Sequence, residues 1–238
     1  MLTAWQRKTL FWLIGLIAGL SLGFVCANKF TADPVNLKPQ PSSAPEPTLS
    51  LAEINNAVAT ADARPEDLAL QRKLGLGLYQ YSRLTPDALY LPEIARLLQR
   101  AQKPADREVT FALGNTFLAM AQRGAKQHLP EARKYYAQLL AQQPQDTDTQ
   151  TALGLTYFYE SPPQALRAIS ELRQALKFAP HHQGALQALA TILISQGQFT
   201  EANNMITELS ATNPQHPALP ELRKQVVETA NGRPGATP

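Results

Sequence analysis

Cysteine is almost absent from this chain of 238 residues, which contains only Cys26, inside an apolar run. The rest of the chain therefore has no disulfide and no thiolate metal site, and packing alone must hold it together. Charge is also sparse, since charged residues make up 17% of the chain and the formal net charge is +3. Lys and Arg form no cluster that would neutralise phosphates, so direct nucleic-acid binding is not expected.

Groups that would build a catalytic or metal site are equally scarce. His181 and His182 are adjacent, so they cannot form the i, i+4 pair that helical metal ligands use. His128 and His216 fall at other predicted turns, and no serine lies in a nucleophile-elbow context. We expect no enzyme activity, no metal and no cofactor. An enzyme accessory domain, or an enzyme with an unfamiliar site, is a competing hypothesis.

Residues 9–27 form one long uncharged run near the amino terminus. As a helix rising about 1.5 Å per residue, this run is long enough to cross the hydrocarbon core of a bilayer. Arg7 and Lys8 precede it. Because positive charge stays on the cytoplasmic side, we expect residues 1–8 inside the cell, a single transmembrane anchor, and the body on the outer face.

Two alternatives to a retained anchor exist. Val25-Cys26-Ala27 places small residues as a signal-peptidase site would, which leaves cleavage after Ala27 open. The apolar core exceeds the usual signal-peptide length, which favours the anchor. A lipoprotein is disfavoured, because Val25 precedes Cys26 where a lipoprotein signal usually has Gly, Ala or Ser.

Glycines recur every fourth residue within this run, at Gly15, Gly19 and Gly23. They would line one helix face and allow a second helix to approach closely, so homo-association through this face is one hypothesis. The alternative is that glycine is simply common in membrane helices.

Segment 28–49 contains five prolines, which predicts an extended spacer between the anchor and the body. Ser50 and Glu53 then match a capping box that opens the first helix of the body. At the other end, residues 231–238 contain Gly and Pro and predict a flexible tail.

Between these ends the chain repeats a pattern of two helices. A Leu followed by a small residue recurs at spacings of 39, 40 and 36, and a closing proline recurs at 40, 36 and 34. The small residue would lie where the second helix of each unit crosses the first. The pairs are Leu74-Gly75, Leu113-Gly114, Leu153-Gly154 and Leu189-Ala190, and the prolines are Pro104, Pro144, Pro180 and Pro214.

These units resemble tetratricopeptide repeats (TPRs), whose pattern has Leu-Gly, an aromatic, two alanines and a closing proline. The resemblance implies an all-α, helix-turn-helix solenoid, which follows the N-terminal transmembrane helix predicted from residues 9–27. It divides the body into a helical region with a degenerate repeat over 50–104 and three repeats over 105–216. A capping helix follows over 217–230, opened by Leu219-Pro220-Glu221.

In that family the first helix of each pair lines a concave groove that binds a protein partner. Carried over by position, the groove comprises Arg72, Lys73, Leu76, Tyr79, Phe111, Asn115, Leu118, Thr151, Leu155, Phe158, Tyr159, Gln187, Thr191 and Ile194. Its centre is aromatic and aliphatic, which indicates an apolar helix or segment as the ligand. Of the positions that clamp a terminal carboxylate in some family members, only Asn115 agrees. The alternative is that the chain's own helix Ser50–Ala61 covers some of these residues.

The layout is similar to the membrane-anchored TPR subunits of bacterial cytochrome c maturation. We therefore expect a scaffold or adaptor in a bacterial inner membrane, with its body on the periplasmic side, in cytochrome c maturation or another envelope assembly. The alternative is a structural subunit of a secretion or envelope complex, which acts through its membrane helix and convex surface.

Overall fold

The computed structural model describes residues 50–85, 90–103, 105–230 and 232, and this part of the chain is helical with no strand. The predicted anchor with Gly15, Gly19 and Gly23, most of the spacer and most of the tail lie outside it. Ten α-helices are described: α1 Leu51–Asp62, α2 Leu68–Leu84, α3 Leu91–Ala101, α4 Arg107–Gln122, α5 Leu129–Gln142, α6 Thr147–Phe158, α7 Ala165–Phe178, α8 Gln183–Ser195, α9 Phe199–Thr212 and α10 Leu219–Ala230.

Eight of these helices pack as consecutive pairs: α2 with α3, α4 with α5, α6 with α7, and α8 with α9. The second helix of each pair also packs on the first helix of the next, so the pairs stack in chain order. Helix α1 precedes the stack and packs mainly on α2, while α10 closes it against α8 and α9. The solenoid implied by the sequence pattern is therefore confirmed for the described residues.

Two buried apolar clusters fill the stack, one in each half. Leu153, Leu155 and Tyr159 contact both clusters, so the core continues from the second pair into the third. Among the described residues, none of the helices combines the length and the apolar character that crossing a membrane requires.

Helix starts follow the local chemistry of the sequence. The capping box at Ser50 and Glu53 is present, with both of its side-chain-to-backbone contacts formed. Helices α3, α5 and α10 each begin at a Leu-Pro-Glu sequence, because proline is tolerated in the first turn, where its missing N–H has no partner to lose.

Aspartate caps the first helix of each of the first three pairs. Asp67, Asp106 and Asp146 are the N-caps of α2, α4 and α6, and each accepts a hydrogen bond from a backbone N–H in the first turn of its helix. Two of these caps also bridge to the preceding pair: Arg72 of α2 bonds Asp106 at 2.6 Å, and Arg107 of α4 pairs with Asp146. The same carboxylates therefore start a helix and hold two repeats in register.

Within each pair the two helices cross closely at a small residue. A Cβ added to Gly114 would lie 2.6 Å from Cε1 of Tyr136, while a Cβ on Gly154 would lie 3.1 Å from Cγ of Leu172. Tyr136 is fully buried, so its ring has no free space to enter. Close packing therefore requires glycine at position 114 more strictly than at position 154.

Gly114→Ala tests this crossing. Overpacking costs about 1–3 kcal/mol, which outweighs the roughly 1 kcal/mol that alanine gains over glycine in a helix. We expect urea denaturation to show a lower free energy of unfolding for Gly114→Ala and little change for the matched control Gly154→Ala. Equal or greater stability of Gly114→Ala would show that the crossing at Tyr136 is not tight.

Acid should weaken the turns at Asp106 and Asp146. The hydrogen bond from Arg72 lowers the pKa of Asp106 against the opposing effect of burial. Burial alone would raise the pKa of Asp146, but hydrogen bonds from Thr149 and Arg107 outweigh it and leave that pKa below its ordinary value. A lowered folded-state pKa means that the stabilisation is complete above about pH 4 and is lost as the pH falls further.

Asp146→Asn keeps an acceptor for the helix cap and removes the charge. We expect it to be less stable than the natural chain at pH 7, with the difference shrinking towards zero below about pH 3 in pH-dependent urea melts. A difference that stays constant with pH would contradict a stabilising role for the ionised carboxylate.

Candidate functional site

Thirteen of the fourteen predicted groove residues lie on the first helices α2, α4, α6 and α8, and Tyr159 directly follows α6. These helices also contact one another along the stack, α2 with α4, α4 with α6, and α6 with α8. We call the surface that they present the first-helix face. The structure thus brings the predicted residues onto one continuous row of helices.

Burial divides the predicted residues into two groups. Leu76, Leu118, Phe158, Ile194 and Thr151 are buried between helices and are part of the packed interior. The surface that remains for a ligand is narrower than the sequence pattern suggested. It consists of the exposed Lys73 and Gln187 and the half-buried Arg72, Tyr79, Phe111, Asn115, Leu155, Tyr159 and Thr191.

The contacts of helix α1 lie on the first pair, α2 and α3. Its buried side chains, among them Ile54 and Val58, join the core of the first half. Its last residue, Asp62, forms ion pairs with Arg96 and Arg100 on α3, the second helix of the first pair. Helix α1 therefore sits beside the first pair as a preceding second helix would.

A chain of three polar side chains runs across the centre of the first-helix face. The hydroxyl of Tyr136 donates a hydrogen bond to Oδ1 of Asn115 at 2.7 Å, and Nδ2 of Asn115 donates to the hydroxyl of Tyr79, also at 2.7 Å. Burial, followed by the nearby Tyr79, raises the pKa of Tyr136 well above its ordinary value. Tyr136 therefore stays protonated and fixes which way the Asn115 amide points.

This chain leaves hydrogen-bond donors available at the surface. The carbonyl oxygen of Asn115 and one of its N–H groups are used internally, while its second N–H and the O–H of Tyr79 have no partner among the described residues. Sequence reasoning did not find Tyr136, because this residue lies on α5, a second helix. Its spacing from Gly114 in the repeat pattern was the available signal.

Aromatic and aliphatic side chains surround these donors. Phe111 packs edge-on against Tyr136, with the ring centroids 6.5 Å apart. Further along, Tyr159 packs edge-on against the buried Phe158 at 5.4 Å, next to Leu155. The centre of the face thus combines apolar surface with a few oriented donors, and its five partly exposed residues Tyr79, Phe111, Asn115, Leu155 and Tyr159 are uncharged.

At the charged end of the face, one of the two cations forms ion pairs within the fold. Arg72 pairs with both Asp106 and Glu108, at 2.6 and 2.7 Å, so its guanidinium holds the first two pairs together. Lys73, its neighbour, is exposed. Of the two predicted cations, Lys73 is therefore the one positioned to meet a ligand.

The described residues show no group of three or more His, Cys, Asp or Glu side chains placed to hold a metal ion. His128 lies against the ring of Phe117, with centroids 5.4 Å apart. His182 and His216 bond to backbone N–H groups at turns, and His181 is exposed.

Part of the chain matches the profile of a known protein family. Residues 164–226, which span α7 to most of α10, match the tetratricopeptide-repeat family profile. No curated protein sequence matches the chain. The structure is similar to TTC0263, a thermophilic TPR protein of Thermus thermophilus, with a TM-score of 0.56 and 16% identity over 76% of this chain and 90% of that one.

A double mutant of MamA from strain RS-1 is similar as well, with a TM-score of 0.52 and 15% identity over 70% of this chain and 86% of that one. Identities this low show a shared fold only. The profile match over residues 164–226 and the stacked helix pairs support a tetratricopeptide-repeat protein.

Proposed function

We propose that this protein is a membrane-tethered scaffold that binds a partner protein through its first-helix face and performs no catalysis. The observation that carries the proposal is the composition of that face at its centre. Tyr79, Phe111, Leu155 and Tyr159 are only half-buried, although the fold has ample interior for apolar side chains. A partly exposed apolar surface on a stacked-helix scaffold favours a protein ligand.

The oriented donors narrow the chemistry of the ligand. An apolar segment placed along the face would cover the aromatic and aliphatic side chains. It would also have to satisfy the second N–H of Asn115 and the O–H of Tyr79, because unpaired buried donors are costly. Carbonyl oxygens meet that need without adding charge. The ligand we propose is therefore an apolar, uncharged segment of another protein that exposes carbonyl acceptors at this point.

Tethering rests on the sequence of residues 9–27, an uncharged run of membrane-spanning length preceded by Arg7 and Lys8. An anchor there, followed by the proline-rich spacer 28–49, would hold the solenoid outside a bacterial inner membrane. A role in cytochrome c maturation is the most specific form of this hypothesis, and it rests only on the order of predicted anchor, spacer and repeats. Binding of an apocytochrome segment to the first-helix face would support it.

The first-helix face is tested by one substitution on it and one away from it. Thr191→Glu puts a charge on the face at α8, where the side chain is half-buried, while Leu166→Glu puts the same charge on α7 at a residue that is 82% exposed. In affinity capture from mild detergent, followed by binding measurements with the purified partner, we expect Thr191→Glu to weaken binding at least tenfold, whereas Leu166→Glu leaves it unchanged.

Circular dichroism and melting curves show whether both variants are folded before binding is compared. Equal binding by the two folded variants would contradict the proposal. Loss of binding with Leu166→Glu alone would favour the alternative in which the convex surface makes the contact.

Tethering is tested separately by cell fractionation. We expect the full chain to stay in the membrane fraction after carbonate and high-salt washes, because a spanning helix is held by the hydrophobic effect and not by charge. A chain lacking residues 1–27 should move to the wash. Release of the full chain by carbonate would contradict the anchor without affecting the first-helix face.

A further inference from the structure

The turns before the four first helices and before α10 have the same backbone form but two kinds of residue at one position. The residue two positions after a proline closes the turn by donating its N–H to the carbonyl three residues back, in five successive turns. Aspartate holds this position in the first three turns, and histidine holds it in the last two. The five residues are Asp67, Asp106, Asp146, His182 and His216.

His182 caps its helix with an imidazole nitrogen, where the aspartates use a carboxylate oxygen. Its Nδ1 accepts a hydrogen bond from the backbone N–H of Ala185 at 3.1 Å, which caps α8. Its Nε2 lies 2.9 Å from a carboxylate oxygen of Asp148 on α6, the first helix of the preceding pair. Both contacts together require the neutral tautomer with its proton on Nε2, since Nδ1 must accept and Nε2 must donate.

The polarity of this junction is the reverse of the two before it. At Asp106 and Asp146 the cap is anionic and its partner on the preceding pair is an arginine. At His182 the acid is the partner, and the cap is a base. An anionic cap suits a helix amino terminus, whereas a protonated imidazole places positive charge against the helix dipole.

We propose that protonation of the His182 imidazole opens the junction before α8, at pH values where the caps Asp106 and Asp146 remain ionised. A proton added to Nδ1 occupies the lone pair that accepts the Ala185 N–H, so the cap of α8 is lost. The imidazolium keeps Asp148 as its partner through Nε2. The first turn of α8, residues 183–186, therefore opens more often in acid, and α6 stays linked to the turn.

The charges around His182 act on the imidazolium in opposite directions. The dipole of α8 disfavours it, whereas Asp148 favours it, and water and salt screen that attraction because Asp148 is 74% exposed. The carboxylates of the other helices packed against α8 have other partners among the described residues: Glu171 of α7 accepts from Gln150, Glu201 of α9 pairs with Arg173 of α7, and Glu221 of α10 pairs with Lys224. Lys177 and the adjacent His181 are exposed.

His216 holds the same position in the next turn but does not cap a helix. Its Nδ1 accepts from the backbone N–H of Ala218 at 3.3 Å, just before α10 begins. The histidine cap with an acidic partner thus belongs to α8, in the last helix pair. The proposal needs no partner and is independent of the proposed function, although Gln187 on the first-helix face lies one turn into α8.

Amide hydrogen exchange at pH 7.5 and 5.5, corrected for the intrinsic rate at each pH, tests the proposal on the full-length chain in detergent micelles. We expect protection of the Ala185 and Leu186 amides, which bond to His182, to fall about fivefold at pH 5.5, the size expected for a lost N-cap. The first turns of α4 and α6, capped by Asp106 and Asp146, should keep their protection and serve as internal controls.

His182→Asn supplies a cap that does not titrate, so its protection should be the same at both pH values. The matched control His181→Asn alters the adjacent exposed histidine and should retain the full pH effect. Unchanged protection in the natural chain, or a pH effect that survives in His182→Asn, would overturn the proposal. Loss of the pH effect in His181→Asn would assign that effect to His181 and would also overturn the proposal.

Discussion

The whole structure depends on how closely the two helices of each pair can cross. A solenoid has no central core, so each pair must bury its own apolar surface and offer the remainder to its neighbours. Gly75, Gly114 and Gly154 provide that closeness, and Ala190 does so in the fourth pair. At Gly114 the ring of Tyr136 fills the space that a side chain would take.

That crossing also shapes the candidate binding surface. Because Tyr136 reaches past Gly114, its hydroxyl arrives at Asn115 on the first-helix face. A residue of the interior thereby sets the orientation of an amide at the surface, and through it the orientation of Tyr79. In the second pair, Tyr136 therefore both fills the helix crossing and orients the candidate binding surface.

Much of the fold could be predicted from the sequence, because its signals are local and repeated. Leu-Gly and Leu-Ala spacings, closing prolines and Leu-Pro-Glu helix starts all depend on contacts within one pair. The extent of the open surface could not be predicted in the same way. Whether Phe158 or Tyr159 faces solvent depends on how far successive pairs rotate, and Phe158 is buried while Tyr159 is only half-buried. Arg72 looked available for a ligand, but Asp106 and Glu108 occupy it across the pair boundary.

Contact between a partner and the first-helix face is the central claim. Its most direct test places a photo-crosslinking amino acid at Gln187, exposed on that face, and in a second chain at Leu166, exposed on α7. Irradiation of cells that carry the full-length protein should yield one discrete heterologous adduct from position 187 and none from position 166. Adducts formed only from position 166, or none from either position, would contradict the account.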